Sequence, residues 1–320
     1  MTEQVHIAIV GTGCIGASIG LALQRAQEPL HVVGHDKKQA HASSAQRMKA
    51  IHKAEWNLIN ACEPADLIIL ALPLAAIPDT LKAIAPYLKP GCVITDTASL
   101  KQPVLRWAAE LLPEHVNFVG GDPVVTSEGC GPEAARADLF EGSLFCVVAD
   151  QRAHPDAVKL VSSYVALLGA RPYYLEAAEH DGLMAGAAHL PLALALALTE
   201  GAIHSSGWRE LRKVAGGDFE RLTALIGDDA EALSSLLLAN QEPLLHWLDT
   251  YGEVLRNVRE LLAANNRETL TKFAEAAIAA RRQWLIDRRN RFVEGSPVSD
   301  IERPNLLRQM LLGGGFRRRR

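Results

Sequence analysis

The sequence predicts a mostly parallel, doubly wound α/β domain followed by an all-helical domain. Up to residue 175, short apolar runs alternate with stretches that carry apolar residues at helical spacing, which is typical of a parallel sheet with helices on both faces. After residue 175 the chain becomes rich in Ala and Leu, and strand-like alternation almost disappears. A chain of 320 residues is also too long for one ordinary hydrophobic core. We therefore expect domains at 1–175 and 176–290, with a C-terminal tail at 291–320.

The individual elements follow from the spacing of apolar residues. In the first domain, apolar runs predict strands near 5–10, 30–34, 66–72, 91–95, 116–120, 143–148 and 172–175. Between them, helical spacing is evident at 21–27, 77–88 and 103–112. In the second domain the same spacing predicts helices near 178–204, 207–214, 218–226, 229–263 and 266–290. The apolar faces of these last helices need a partner surface, so we expect a homodimer.

The first predicted strand runs directly into a glycine-rich turn. Residues 5–16 read VHIAIVGTGCIG, with the spacing Gly11-x-Gly13-x-x-Gly16. Gly11 allows the tight turn, Gly13 lets the backbone approach a pyrophosphate, and Gly16 lets the helix pack close to the strand. Asp36 stands at the end of the next strand, where a carboxylate can accept hydrogen bonds from the ribose of an adenosine. This combination predicts a dinucleotide site of the Rossmann type.

The expected cofactor is NAD, because the 2′-phosphate of NADP would meet the negative charge of Asp36. Lys37 and Lys38 follow at once and could reach such a phosphate, so NADP remains an alternative. The residues expected to bind the cofactor lie in the glycine-rich turn and after the first strands of the sheet: Gly11, Thr12, Gly13, Cys14, Ile15, Gly16, Asp36, Leu72, Pro73 and Thr97.

Composition argues against several other classes of protein. A net charge of −4 offers no attraction for nucleic acid or for an anionic membrane surface. The five cysteines show no CxxC spacing, so we expect no metal site and no disulfide framework, and a reducing cytoplasm fits best. The N-terminus lacks the pattern of a signal peptide. The most apolar run, 183–198, is short for a membrane span and contains His189 and Pro191, so it predicts a buried helix.

Three polar segments follow predicted strands and should meet at one edge of the sheet. In open α/β sheets ligands bind outside the carboxyl ends of the strands. The segments are Ala-Leu-Pro at 71–73, Thr-Asp-Thr-Ala-Ser-Leu-Lys at 95–101 and Gly-Gly-Asp-Pro-Val-Val-Thr-Ser-Glu at 120–128. We expect all three to lie around the nicotinamide.

With these segments the chain resembles the prephenate/arogenate dehydrogenase family of tyrosine biosynthesis, over nearly its whole length. The motifs that carry the resemblance are the glycine-rich turn, Asp96-x-x-Ser99-x-Lys101, GGxPxxxSE at 120–128, LFEG at 139–142 and EHDxxxAxxxHLP at 179–191. The resemblance implies a Rossmann domain joined to a helical dimerisation domain. It also implies oxidation of a cyclohexadienol by NAD(P)+, with the ring carboxylate of the substrate leaving as CO2.

The resemblance further implies roles for single residues. Ser99 would contact the substrate hydroxyl or the nicotinamide carboxamide. Lys101 would bind the substrate and help to shape the loop that carries Ser99. Glu128 would polarise or gate the mouth of the site, while His180, as a catalytic residue, and His189, as a substrate-binding residue, would face the cleft. Simpler structural roles stay open: a helix N-cap for Ser99, a solvated charge for Lys101, a hydrogen bond at a helix start for His180, and a hydrogen-bonded core position for His189.

Three positions depart from the family pattern, and all concern the substrate. Asp122 stands where the family carries its catalytic histidine; an ordinary carboxylate is a weaker base than imidazole by about two to three pKa units, although burial can raise its pKa. Leu192 replaces the final histidine of an HLPH motif, and Ala224 replaces an arginine that binds a substrate carboxylate. Arg221, one helical turn earlier, is the expected substitute for that charge.

These departures leave three functions open. The first is an active prephenate or arogenate dehydrogenase that uses Asp122 as base and Arg221 to bind a carboxylate. The second is a dehydrogenase of a related substrate such as 4-amino-4-deoxyprephenate, whose ring ammonium would suit an aspartate. The third is a non-catalytic paralogue that binds NAD. Of these three functions, we expect the active prephenate or arogenate dehydrogenase.

Overall fold

The computed structural model describes residues 4–26, 28–126, 129 and 131–289. These residues form two compact units, one that ends at His180 and one that begins at Asp181. The tail expected at 291–320 lies outside the described residues.

The first unit is built on one eight-stranded sheet with the strand order β3-β2-β1-β4-β5-β6-β7-β8. The strands are Val5–Val10 (β1), Leu30–His35 (β2), Lys53–Ala54 (β3), Leu67–Leu70 (β4), Val93–Asp96 (β5), Asn117–Pro123 (β6), Leu144–Val148 (β7) and Arg171–Tyr174 (β8). All neighbours pair in parallel except β6 and β7, which are antiparallel. The predicted mostly parallel fold is therefore confirmed. The chain reverses its direction of winding between β1 and β4, which is where such sheets bind ligands.

Two strands differ from their prediction. The strand β3 was not predicted, because two residues are too few to show an alternating pattern. The strand β6 continues to Pro123, beyond the expected end near residue 120, because Asp122 and Pro123 pair with Cys146 and Phe145 of β7. Asp122 is consequently a strand residue with a defined backbone position.

Helices cover both faces of this sheet. They are Cys14–Arg25 (α1), Gln39–Arg47 (α2), Leu58–Cys62 (α3), Ile77–Ile84 (α4), Gln102–Leu111 (α5) and Pro155–Leu167 (α6). Alternate residues of β1 point to opposite faces: Ile7 and Ile9 join a buried cluster with residues of α1 and α6, whereas Ala8 and Val10 join one with residues of α4 and α5. A sheet buried on both faces explains why its strands are nearly continuous apolar runs.

The rest of the chain is helical. The helices are Ala177–Met184 (α7), Leu190–Ile203 (α8), Trp208–Val214 (α9), Gly217–Thr223 (α10), Ala230–Ala239 (α11), Gln241–Ala263 (α12) and Arg267–Arg289 (α13), and a π-helical turn, Ala185–His189, joins α7 to α8. The boundary between the two units falls within α7. The single helix predicted at 229–263 was wrong: it is two helices that meet at Asn240, whose backbone leaves the helical region (φ −119°, ψ 35°).

The helical run Ala177–Ile203 is longer than the apolar stretch that predicted it. With 27 residues and a mean hydropathy of 1.6 it meets the length and composition of a membrane span, although core helices of other proteins meet them too. Inside the second unit, Asn240 donates hydrogen bonds to the backbone oxygen of Asp181 and to His189, and both of these residues are buried. Only 28% of the most apolar 18-residue window of the run is buried, so the buried helix predicted at 183–198 is largely exposed in the described single chain.

Many large apolar side chains of the second unit are exposed. The most exposed of them on α11 to α13 include Leu238, Leu245, Leu255, Leu262, Ile278 and Trp284. Exposed apolar side chains in such number are typical of surfaces that contact another protein.

Candidate active site

Three glycines after β1 have different surroundings. Gly11 has a φ of +92°, and a Cβ atom on it would lie 2.2 Å from the carbonyl oxygen of Ala71. A Cβ atom on Gly16 would lie 1.9 Å from the carbonyl oxygen of Gly11, so the fold itself requires both glycines. A Cβ atom on Gly13 would meet no heavy atom within 4 Å. Gly13 therefore borders open space at the N-terminus of α1, where backbone N–H groups and the helix dipole attract a pyrophosphate.

Asp36 directly follows β2 and is held against the glycine-rich turn. Its Oδ2 atom accepts hydrogen bonds from the backbone N–H of Thr12 (2.8 Å) and from the Thr12 hydroxyl (3.3 Å), and its Oδ1 atom accepts one from the N–H of Lys38 (2.8 Å). Lys37 and Lys38 extend into solvent. A carboxylate oriented in this way can still accept from ribose hydroxyls, because each oxygen has more than one lone pair. The turn and Asp36 together fit the diphosphate and adenosine ribose of a dinucleotide.

The remaining residues predicted to bind the cofactor lie around the same turn. Cys14 begins α1 and its thiol donates to the carbonyl oxygen of Ala134 (3.4 Å), while Ile15 packs on the core. Leu72 and Pro73 follow β4, and Thr97 follows β5 with its N–H bonded to the carbonyl oxygen of Leu70 (3.1 Å). All these positions lie at the carboxyl ends of parallel strands.

A buried ion pair connects the ends of β5 and β6. Asp96 Oδ1 accepts a hydrogen bond from the N–H of Gly121 (3.0 Å), and its Oδ2 atom lies 2.5 Å from Nζ of Lys101. The same Nζ donates to the carbonyl oxygen of Gly121 (2.6 Å). The side chains of Asp96 and Lys101 have no exposed surface. The substrate-binding role predicted for Lys101, and its alternative as a solvated charge, are both corrected: the burial and bonds of Lys101 make it a support for β6.

Asp122 and His180 form a second buried pair. Oδ2 of Asp122 on β6 lies 3.2 Å from Nε2 of His180 on α7. His180 has no exposed side-chain surface, whereas 7% of the Asp122 side chain is exposed. Burial raises the pKa of Asp122, and this is the largest effect on it; the hydrogen bond from His180 and the nearby charge of Lys101 oppose that rise. The structure thus brings together two of the three residues predicted to be catalytic.

The third predicted catalytic residue, Ser99, lies in the bend between β5 and α5. Helix α5 begins at Gln102 with Lys101 at the N-cap position, so the alternative role of Ser99 as N-cap was wrong. Ser99 is partly exposed, at the same end of the sheet as Asp122. Glu128, predicted to lie at the mouth of the site, falls outside the described residues.

In the second unit, Asn240 organises a buried polar cluster. Its Nδ2 atom donates to the backbone oxygen of Asp181 (2.8 Å) and lies 3.0 Å from Nδ1 of His189. A backbone oxygen can only accept a hydrogen bond, so the amide group of Asn240 must point its Nδ2 donor towards Asp181. The same Nδ2 donor therefore meets Nδ1 of His189 as an acceptor, which corresponds to the tautomer of His189 that is protonated on Nε2. The role of Asn240 was missed by sequence reasoning; a lone asparagine within an apolar helical run was the available signal.

The structure also corrects the role expected of Arg221. Its side chain on α10 is 77% exposed, and Nη2 lies 2.5 Å from Oδ1 of Asp218 on the same helix. This guanidinium is paired with a carboxylate in solvent, and the substrate-binding role predicted for Arg221 was wrong. Within the described parts of the chain, no group of three His, Cys, Asp or Glu side chains is arranged to hold a metal ion.

Comparison with known proteins gives matches along most of the chain. The family described as "Prephenate dehydrogenase, nucleotide-binding domain" matches residues 19–174, and the one described as "Prephenate dehydrogenase, dimerization domain" matches residues 176–275. A cyclohexadienyl dehydrogenase of Zymomonas mobilis is 27% identical over 88% of this chain and 96% of its own length. A prephenate dehydrogenase of Lactococcus lactis is 28% identical over 84% of this chain and 74% of its own.

A solved structure has the same fold. The prephenate dehydrogenase of Aquifex aeolicus, in complex with hydroxyphenyl propionate and NAD+, superposes with a TM-score of 0.81. It covers 88% of this chain and 98% of its own, at 24% sequence identity.

Proposed function

The chain belongs to the prephenate dehydrogenase family, and from this membership we propose that it is an NAD-dependent dehydrogenase of prephenate or arogenate. The substrate transfers a hydride from its ring carbinol carbon to the nicotinamide and its hydroxyl proton to a base. Loss of the ring carboxylate as CO2 then leaves an electron pair in the ring, the ring becomes aromatic, and its oxygen takes the proton back. NAD supplies the hydride acceptor; the protein supplies orientation and the proton acceptor.

The observation that carries this proposal is that a dinucleotide turn and a buried base lie at one edge of the sheet. The glycine-rich turn follows β1 and Asp122 lies near the end of β6, and the strands from β1 to β6 all run parallel. We assign Asp122 as the proton acceptor. Burial raises its pKa, which makes the carboxylate a stronger base than a solvated one.

Asp36 supports NAD over NADP, because its carboxylate is fixed where the ribose hydroxyls would bind and would repel a 2′-phosphate. The Aquifex aeolicus relative holds NAD+, in agreement with this assignment. The four described free cysteines are buried, which supports a reducing cytoplasm as the compartment.

The two parts of the chain have different tasks in this proposal. Residues 1–175 bind the dinucleotide, and residues 176–290 contribute to the substrate site and pair with a second copy to form a homodimer. The match to a dimerization domain and the exposed apolar side chains of α11 to α13 support the homodimer.

A comparison of substrates tests the proposal. Purified protein is mixed with NAD+ and, separately, with prephenate, arogenate and 4-amino-4-deoxyprephenate, and formation of NADH is followed by absorbance. We expect turnover of prephenate or arogenate that Asp122→Ala abolishes and that the exposed-carboxylate variant Asp138→Asn retains. Turnover of the amino analogue alone would identify the related-substrate enzyme. Binding of NAD+ without turnover of any of the three would identify a non-catalytic paralogue.

A further inference from the structure

We propose that His180 is a positioning residue that holds Asp122 ionised and correctly oriented, so that the pair replaces the single catalytic histidine of the family. This inference rests on the proposed function, because it concerns the proton acceptor of that reaction. It gives a role to an imidazole that reaches the site from α7 instead of from β6.

The order of the two residues follows from their exposure. Nε2 of His180 lies 3.2 Å from Oδ2 of Asp122, and the imidazole has no exposed surface. Asp122 retains a small exposed fraction, so a substrate hydroxyl meets its carboxylate before it can meet the imidazole. Because Oδ2 already accepts from His180, we assign the substrate proton to the other oxygen, Oδ1.

Asp122 needs such a partner because its surroundings favour the protonated carboxyl, which cannot act as a base. Burial raises the pKa of Asp122, and the negative charge of Asp96 raises it further. Of the effects that lower it, the hydrogen bond from His180 is the largest and the charge of Lys101 comes next. Cys146 is the register partner of Asp122 across the β6–β7 pair and is buried.

Lys101 cannot take over the role of His180. Its ammonium group is bonded to Asp96 and to the carbonyl oxygen of Gly121. The charge of Asp96 opposes the effect of Lys101 on the pKa of Asp122. His180, which donates directly to the carboxylate, is therefore the neighbour through which the basicity of Asp122 is set.

The proton balance is simple. With Asp122 ionised, His180 donates its Nε2 proton and keeps it throughout. The O–H bond of the substrate breaks and an O–H bond forms at Oδ1 of Asp122, while the hydride leaves the ring carbon for NAD+. After CO2 departs, the ring oxygen recovers the proton from Oδ1, and the pair returns to its starting state.

The test is the pH dependence of kcat in wild type, His180→Leu and His180→Gln. In the wild type, kcat falls as the pH drops through the pKa of Asp122, because only the ionised carboxylate accepts a proton. Loss of a donor to the charged form raises that pKa. We expect that in His180→Leu the fall of kcat on the acidic side of the pH profile, called the acidic limb, moves to higher pH by about one unit or more. We also expect kcat at neutral pH to be lower by about tenfold or more. His180→Gln, which retains an N–H donor, should fall between the two.

Controls separate this role from a structural one. The exposed histidine variant His154→Leu should leave the acidic limb unchanged, and the dissociation constant for NAD+ should be the same in all variants. An unchanged acidic limb with near wild-type kcat in His180→Leu would overturn the proposal. If His180→Leu fails to fold, the shift in His180→Gln decides the question.

A titration without substrate distinguishes failure of this inference from failure of the proposed function. The carboxyl carbon of Asp122, assigned by comparison with Asp122→Asn, is followed by NMR across pH in the wild type and in His180→Leu. A higher pKa in the variant supports the positioning role even if no substrate is turned over. Identical titrations would refute it even in an active enzyme.

Discussion

At residue 122 the chain has a carboxylate where the family resemblance implies an imidazole, and Nε2 of His180 lies 3.2 Å from Oδ2 of that carboxylate. Sequence reasoning predicted both Asp122 and His180 as catalytic residues. Their hydrogen bond was not predictable, because it joins residues 58 positions apart and depends on where α7 begins. The burial of Lys101 was missed for a similar reason: a lysine in a loop is normally solvated, and its partner Asp96 lies across a turn.

Replacement of Asp122 by Asn should remove the proton acceptor and preserve most of its volume. We expect kcat to fall by a factor of about 100 or more, with little change in the dissociation constant for NAD+. Steady-state kinetics and calorimetric titration with NAD+ measure the two quantities. Wild-type kcat in Asp122→Asn would mean that another group takes the proton.

Replacement of Lys101 by Met should destabilise the fold strongly. The substitution leaves the buried charge of Asp96 without its partner, and removing one member of a buried pair costs about 3–5 kcal/mol. Denaturant unfolding measures the loss. Lys272→Met, which removes an exposed lysine paired with Glu268, serves as the matched control and should change the unfolding free energy little. Adding Asp96→Asn to Lys101→Met should restore part of the stability.

At the scale of elements, the strand-turn-helix unit at the start of the chain was the most predictable part. Its glycines are required by backbone geometry, and such requirements appear directly in the sequence. The break between α11 and α12 was missed because apolar residues keep their helical spacing on both sides of Asn240. Pro243 was the available signal, since it has no N–H for the carbonyl oxygen of residue 239 and its ring would clash with that carbonyl in a continuous helix. The inward hydrogen bonds of Asn240 also favour the break.

Alanine at each glycine of the turn should separate stability from binding. Gly11→Ala places a side chain at a positive φ against Ala71 and should cost at least about 1 kcal/mol of unfolding free energy. Gly16→Ala, which would force a contact with Gly11, should also destabilise. Gly13→Ala should fold with normal stability and yet bind NAD+ more weakly, because its methyl group projects into the space of the pyrophosphate. Thermal unfolding and NAD+ titration of the three variants check this pattern; normal NAD+ affinity in Gly13→Ala would contradict it.

For the whole molecule, the change near residue 175 from short apolar runs to long Ala- and Leu-rich segments was enough to predict a sheet domain followed by helices. The positions of strands followed from apolar runs, since a sheet covered on both faces must be apolar throughout. The pairing of β6 with β7 in antiparallel fashion could not be read in the same way. Strand direction depends on the path of the connecting segment, and apolar content is the same in either case.

The exposed apolar side chains of α12 predict self-association. Leu255 and Leu262 are 53% and 61% exposed, and a charge at each should prevent a second copy from covering them. We expect wild type to sediment as a dimer and Leu255→Glu/Leu262→Glu to shift towards the monomer. Trp56→Glu, which changes an exposed apolar residue of the first unit, should still sediment as a dimer. A monomeric wild type at micromolar concentration would contradict the proposed homodimer.

The ion pair of Asp96 and Lys101 has a consequence for how this site can evolve. Asp96 binds the N–H of Gly121 and Lys101 binds its carbonyl oxygen, so two side chains hold the backbone directly before residue 122. These contacts hold the backbone without using the side chain of residue 122. A lineage can therefore exchange the base of the reaction by a single substitution without rebuilding the strand, provided that a neighbour such as His180 is already in place to adjust its proton affinity.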